Sequence, residues 1–179
     1  TGFDYLGEPT PYGDDSWPNH SSMFGCVDLA SIPKDRFYLY RSVWNGDEHT
    51  LHVLPHWNWE EGHTVPVYVY TSSPAAELFL NGKSLGVQKK VVPTVKFVGS
   101  RTADVEPRYR LMWMDVEYEP GELMVVALDE NNQPVDTAYV RTAGEPAGIR
   151  LDYDGRRIKA DGDDLAYVTV NIVDADGNV

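Results

Sequence analysis

Four carboxylates, Asp4, Glu8, Asp14 and Asp15, stand among Tyr5, Tyr12, Trp17 and His20 near the start of the chain. A carboxylate accepts hydrogen bonds from sugar hydroxyls, and an aromatic ring covers the apolar face of a pyranose. The mixture therefore suits a neutral sugar, with a merely packed loop as the alternative. His49, His52 and His56 are close enough to suggest a metal. However, Leu51-His52-Val53-Leu54-Pro55 has strand character and Pro55 breaks any helix, so the spacing loses its meaning for a metal site. Cys26 lacks an activating neighbourhood and reads as a small buried residue. Neither a Ser/His/Asp nor a Cys/His nucleophile pattern is visible, and Gly82 and Gly86 belong to a hairpin rather than a phosphate cradle. Asp174-Ala175-Asp176-Gly177-Asn178 has part of a calcium-loop pattern without its spacing or final Glu, and reads as a turn. The residues call for no metal and no cofactor.

The elements that must position these groups change character along the chain. Residues 6–30 carry Gly7, Pro9, Pro11, Gly13, Pro18 and Gly25, which marks a long irregular loop. Ser31 and Pro33 can open a helix running to about Trp44, in which Phe37, Tyr40 and Trp44 form one apolar stripe, read as core packing. From residue 50 onward the period becomes alternating. Val65 to Thr71 is a strand in which Pro66 requires the strand's start or an edge. Asn81-Gly82 between two apolar runs is the strongest hairpin signal in the chain. Strands at Tyr109–Tyr118, Leu123–Leu128 and Val135–Thr142 follow, separated by Pro120-Gly121 and Asn131-Asn132-Gln133-Pro134, with a further strand expected at Thr94–Val98. Strands joined by turns without helices predict a mainly β fold, an immunoglobulin-like antiparallel sandwich. After Gly144-Glu145-Pro146, strands at Gly148–Tyr153 and Ala166–Val173 leave too little chain for a second sandwich.

Composition narrows the function classes. The 179 residues carry a formal net charge of −13, with no basic cluster to offset it. That balance repels phosphate backbones and excludes nucleic-acid binding. No apolar run approaches the roughly 20 residues that cross a bilayer. A single cysteine allows no internal disulfide. The chain opens without an initiator Met or a signal segment and stops in an unfinished turn, which reads as a piece of something longer.

Thr1-Gly2-Phe3-Asp4-Tyr5-Leu6-Gly7-Glu8-Pro9-Thr10-Pro11-Tyr12, Trp17 to Gly25 and Pro33 to Trp44 together resemble the end of the catalytic barrel in glycoside hydrolase family 2, especially its β-galactosidase-like members. His52 to Trp59 and Ala76 to Gly82 are similar to the adjoining sandwich, and Lys159 to Val170 to the start of a further immunoglobulin-like domain. The resemblance implies three parts: residues 1–48 as the last strand, loop and helix of a (β/α)₈ barrel, 49–143 as the sandwich, and 144–179 as an incomplete second sandwich. It implies a retaining hydrolase of β-galactosides whose nucleophile and acid/base both precede Thr1, leaving no catalytic residue in this segment. Asp4, Tyr5, Trp17 and His20 would then border the sugar pocket. The implied partners are a β-linked sugar, the catalytic barrel against which the segment packs and, where the enzyme is a homo-oligomer, further copies. Galactosidase, glucuronidase and mannosidase activities share the architecture, and export to the periplasm or beyond is the implied location. The competing reading is a stand-alone carbohydrate-binding or adhesin-type sandwich.

Overall fold

The computed structural model describes residues 2–5, 22–91, 105–153, 155 and 157–179. Helix α1 (Asp35–Trp44) comes first, followed by β1 (Leu51–Leu54), β2 (Thr64–Thr71), β3 (Ala75–Leu80) and β4 (Lys83–Lys89). A short helix α2 (Val105–Tyr109) then precedes β5 (Leu111–Glu117), β6 (Glu122–Leu128), β7 (Pro134–Arg141), β8 (Gly148–Tyr153) and β9 (Val168–Val173). The strand expected at Thr94–Val98 lies outside the described residues.

Seven strands form the sandwich, in a sheet ordered β1-β2-β5 and a sheet ordered β4-β3-β6-β7, with every pairing antiparallel. Alternation fills the space between them. Val65, Val67 and Val69 of β2 face Leu78, Leu123 and Val125 of the other sheet, with Trp113 and Val116 closing one side. Each such side chain contributes roughly 1.5–3 kcal/mol by leaving water. An immunoglobulin constant-type sandwich splits its strands four and three, with the fourth strand beside the first sheet. Here β4 lies against β3 instead. The two-residue Asn81-Gly82 turn, both residues at positive φ (49° and 79°), folds β4 straight back along β3.

Pro66 lies near the start of its strand, as expected, ahead of Tyr68–Thr71, the stretch that pairs with β1. There β2 pairs with β5 alone, at a bulge where Met114 and Asp115 of β5 oppose Pro66. The extra residue absorbs the ladder bond that proline cannot make. A second irregularity faces the first at the open side of the sandwich, where Leu85 and Gly86 oppose Leu78. Trp113 Nε1 donates to the Gly86 carbonyl at 3.2 Å, bridging the two sheets there.

The opposite corner is built on Trp57, which is fully buried. Its indole N–H donates to Glu119 O (3.1 Å), and the Tyr118 ring meets it edge-on at 5.1 Å. The Thr142 hydroxyl donates to Trp57 O (2.7 Å), so Tyr118 OH supplies the hydrogen of the 3.0 Å bond between the two hydroxyls.

Helix α1 starts at Asp35, later than Ser31 or Pro33 would allow. Ser31 instead adopts positive φ (66°) in a turn held by Asp28 Oδ1, which accepts the Ala30 and Ile32 N–H groups at 2.8 Å each. One face of α1 meets the sandwich: Tyr38 stacks on His52 of β1 at 3.9 Å, and His52 Nε2 lies 2.8 Å from Asp35 Oδ1. The stripe read as core packing faces away from the sandwich. Tyr40 and Trp44 stack on each other at 4.6 Å, with Trp44 76% exposed.

Strands β8 and β9 form a two-stranded ribbon of their own. Asp174 ties its end to the sandwich exit: Oδ2 accepts Gly144 N (2.8 Å) and Asn178 Nδ2 (3.0 Å), while Oδ1 accepts Asp176 N and Asn178 N. The segment with part of a calcium-loop pattern is thus a turn closed by its own carboxylate.

Candidate functional site

The first segment is held by the one that returns to it. Phe3 bridges Val27 in parallel, Val27 bridges Pro33 in antiparallel, and Gly2 O accepts the Cys26 and Val27 N–H groups. Ser22 N donates to Tyr5 O at 2.8 Å, so residues 5 and 22 stand side by side. Cys26 is half-buried rather than enclosed, beside a cavity of about 650 Å³ walled by Phe3, Val27, Phe37, Tyr40 and Trp44.

Asp4 sits at the centre of this arrangement, with its side chain 7% exposed. Oδ1 accepts Gly25 N (2.7 Å), and Oδ2 receives the Lys34 ammonium (2.5 Å), which also reaches Met23 O at 3.3 Å. The Lys34 hydrogen bond, opposed by desolvation and aided by the Gly25 N–H, holds the carboxyl below the ordinary aspartate range. Gly25 is required sterically: a Cβ there would lie 2.2 Å from Asp4 N and 2.7 Å from Oδ1. Tyr5, the next residue, leaves its side chain half in solvent. Trp17 and His20 lie outside the described residues, as do Glu8, Asp14 and Asp15.

Lys34 is the participant that sequence reasoning passed over. It occupies the N-cap position of α1 without capping it. A cation there opposes the helix dipole and supplies no acceptor for the first N–H groups. That misfit was the available signal of a partner elsewhere.

The three neighbouring histidines diverge. His52 serves Asp35 and Tyr38. His56 stacks on Trp59 at 4.7 Å, with His63 on Trp59 at 5.5 Å. His49 Nε2 lies 2.9 Å from Ser73 Oγ, and its Nδ1 lies 2.9 Å from Asp136 Oδ2. That Ser-His-Asp connectivity was invisible in sequence and has the order of a nucleophile relay. Ser73 is buried, however, and its N–H is donated to Thr71 Oγ1, so neither an approach to the hydroxyl nor a free oxyanion donor exists at that residue. The trio clamps β1 to β7 and to the β2–β3 turn. Among the described residues no three His, Cys, Asp or Glu side chains are arranged to hold a metal ion, and no helix is long and apolar enough to cross a membrane.

Against this geometry stand the similarities to known proteins. Residues 62–136 match a family described as a domain of unknown function, DUF4982. The chain is 44% identical over 180 aligned residues to a β-galactosidase, BoGH2A, of Bacteroides ovatus, covering all of this chain and 19% of that protein. It is 32% identical to a putative β-glucuronidase of Formosa agariphila, covering all of this chain and 16% of that protein. Among solved structures, a glycosyl hydrolase family 2 member from Bacteroides cellulosilyticus superposes with a TM-score of 0.78 at 30% identity, over 99% of this chain and 25% of that one. A β-glycosidase from Bacteroides vulgatus gives 0.76 at 32%, over 99% of this chain and 20% of that one. The chain thus spans about a fifth of the length of the curated relatives it matches. Sandwich, flanks and the Asp4 segment align together with those proteins, so the whole chain is similar to one segment of glycoside hydrolase family 2 proteins.

Proposed function

We propose that this segment is the C-terminal part of a retaining glycosidase acting on β-galactosides, bordering its sugar site while the two catalytic carboxylates lie elsewhere in the enzyme. The observation that carries the reading is 44% identity, sustained over the whole chain, to a β-galactosidase. The carboxylates support it from the other side. A glycosidase acid needs a raised pKa and a partner carboxylate about 5–5.5 Å away in retaining enzymes. Asp4 is held low by Lys34, and Asp174 is held at about 2 by the Gly144 N–H and its other donors. Neither enclosed carboxyl can serve as a proton donor near neutrality.

In this reading residues 1–48 close the catalytic barrel, 49–143 form the supporting sandwich and 144–179 begin a second one. Asp4, Tyr5, Trp17 and His20 border the pocket, and the enzyme is exported. The outward stripe of Phe37, Tyr40 and Trp44 supports packing against the barrel, because such a face gains by meeting another apolar surface. The test is a panel of aryl β-glycosides given to the intact enzyme. The expected result is turnover of the galactoside with kcat/KM at least about tenfold above the glucuronide, which corresponds to about 1.4 kcal/mol in the transition state. Preference for the glucuronide would overturn the substrate assignment, and turnover by residues 1–179 alone would overturn the placement of the catalytic pair.

A further inference from the structure

Asp4 is placed to do something other than bind sugar. Both of its oxygens are occupied by this chain, one by the Gly25 N–H and one by Lys34, in a position almost closed to solvent. Lys34 draws three pieces of backbone together: the 2–5 segment through Asp4, the 22–27 segment through Met23 O, and α1, whose N-cap position it occupies. Gly25 permits the approach, since any side chain there would strike Asp4 N. Tyr5 follows Asp4 directly in the pinned segment, with its carbonyl fixed by Ser22 N and its side chain half-exposed.

We infer that Asp4 and Lys34 are positioning residues for Tyr5 at the sugar site, the pair fixing the backbone from which the Tyr5 ring meets substrate, and Asp4 touching no sugar itself. This rests on the glycosidase reading above and assigns roles within that site. Removing the ammonium leaves an enclosed carboxylate beside a backbone N–H, so the pin loosens wherever Asp4 is ionised. Protonating Asp4 relieves that charge. The defect of a Lys34 variant is therefore large at neutral pH and shrinks on acidification.

The experiment uses the intact enzyme with an aryl β-galactoside, comparing wild type with K34M, K34R, D4N, Y5A and the Y5A/K34M pair. The expected result for K34M at pH 7 is a KM raised about tenfold with kcat within about twofold, a loss of binding shared by ground and transition states. The same ratio of variant to wild type should shrink as the pH falls, K34R should restore most of the affinity, and K34M should add nothing once Tyr5 is gone. A raised KM in D4N with K34M unaffected would overturn the inference by making Asp4 a direct sugar ligand. Additive losses in Y5A/K34M would overturn it too, because the pin would then not act through Tyr5. Hydrogen exchange of residues 2–5 and 22–27 in the same enzymes separates the two readings. Faster exchange in K34M is expected, and unchanged exchange sinks the pin whatever the activity. Wild-type enzyme inert towards every aryl glycoside would instead sink the glycosidase reading.

Discussion

Strand β2 and the β8–β9 ribbon carry the same local pattern and meet opposite fates. Val65, Val67 and Val69 alternate along β2 and are wholly enclosed. Ile149, Leu151 and Tyr153 alternate along β8 and pair with Ile172, Val170 and Val168 of β9, so all six share one face. That face stays open, with Leu151 60% exposed. The other face is polar, with Arg150, Asp152 and Asn171 bonded to one another through Asp152 Oδ2. Alternation therefore specifies a strand and a face, and burial depends on whether a second sheet lies opposite. Helix α1 repeats the lesson, with Tyr38 packed on β1 and Trp44 on the far side in solvent.

The largest contrast comes from truncating a leucine in each region. Leu78 is fully buried between the sheets. L78A should destabilise the 179-residue chain by about 2–5 kcal/mol in urea denaturation, through lost transfer energy and the cavity left behind. L151A should change the same measurement by less than about 0.5 kcal/mol. Repeating L151A in the intact enzyme sharpens the comparison: a cost rising towards that of L78A means the ribbon face is covered there. An equal, small cost in both settings means it is a true surface.

The next effect sits at the corner joining β5 to β6. Gly121 has φ of 138°, and a Cβ there would fall 2.0 Å from Asn81 Oδ1. Asn81 in turn accepts Glu122 N (2.9 Å) and donates to Pro120 O (3.2 Å). G121A should cost about 2–3 kcal/mol through strain and displacement of that amide. N81A should cost about 1–2 kcal/mol by leaving two backbone groups without their partner. In the double variant the losses should fall short of additive, because both act on one contact. A thermal-unfolding cycle checks this, and strict additivity would mean that the Asn81 side chain is not the neighbour that excludes a Cβ.

Much of the sandwich was legible because its signals are local. Asn81-Gly82 and Asn131-Asn132-Gln133-Pro134 each fix a turn from within four residues, and Asn132 takes the positive φ (58°) that such a turn demands. Pro66 was legible only as a constraint. Sequence required the strand's start or an edge, and Pro66 lies near the start, ahead of the β1 pairing; the bulge supplied by Met114 and Asp115 of β5 was not readable locally. The placement of β4 follows from the tightness of its turn, though a general immunoglobulin template would have moved it. The Asp4–Lys34 pair was illegible for the same reason that Ser73, His49 and Asp136 were. Those partners are 30, 24 and 87 residues apart, and nothing local records the meeting. Of the site residues named from sequence, Asp4 and Tyr5 are placed beside Ser22 and Gly25, while Trp17 and His20 lie outside the described residues.

The smallest effect distinguishes the ribbon's anchor from its open face. Asp174 is held at about 2, first by the Gly144 N–H and then by Asn178 and the turn amides. A carboxyl whose folded value lies below its unfolded value adds stability above the unfolded value and loses it as pH falls through the folded one. The anchor should therefore be intact at pH 5 and weaken between about pH 4 and pH 2, whereas the polar contacts of neutral groups at the Trp57 corner should not. Amide exchange at Gly144, Asp176 and Asn178, corrected for intrinsic rates, should accelerate over that window in wild type. D174N should show the faster exchange at every pH, because its amide keeps acceptor capacity on one atom where the carboxylate used two. Protection that persists unchanged to pH 2, or that is lost above pH 5, would place the ribbon's attachment in its strand pairing rather than in this carboxylate.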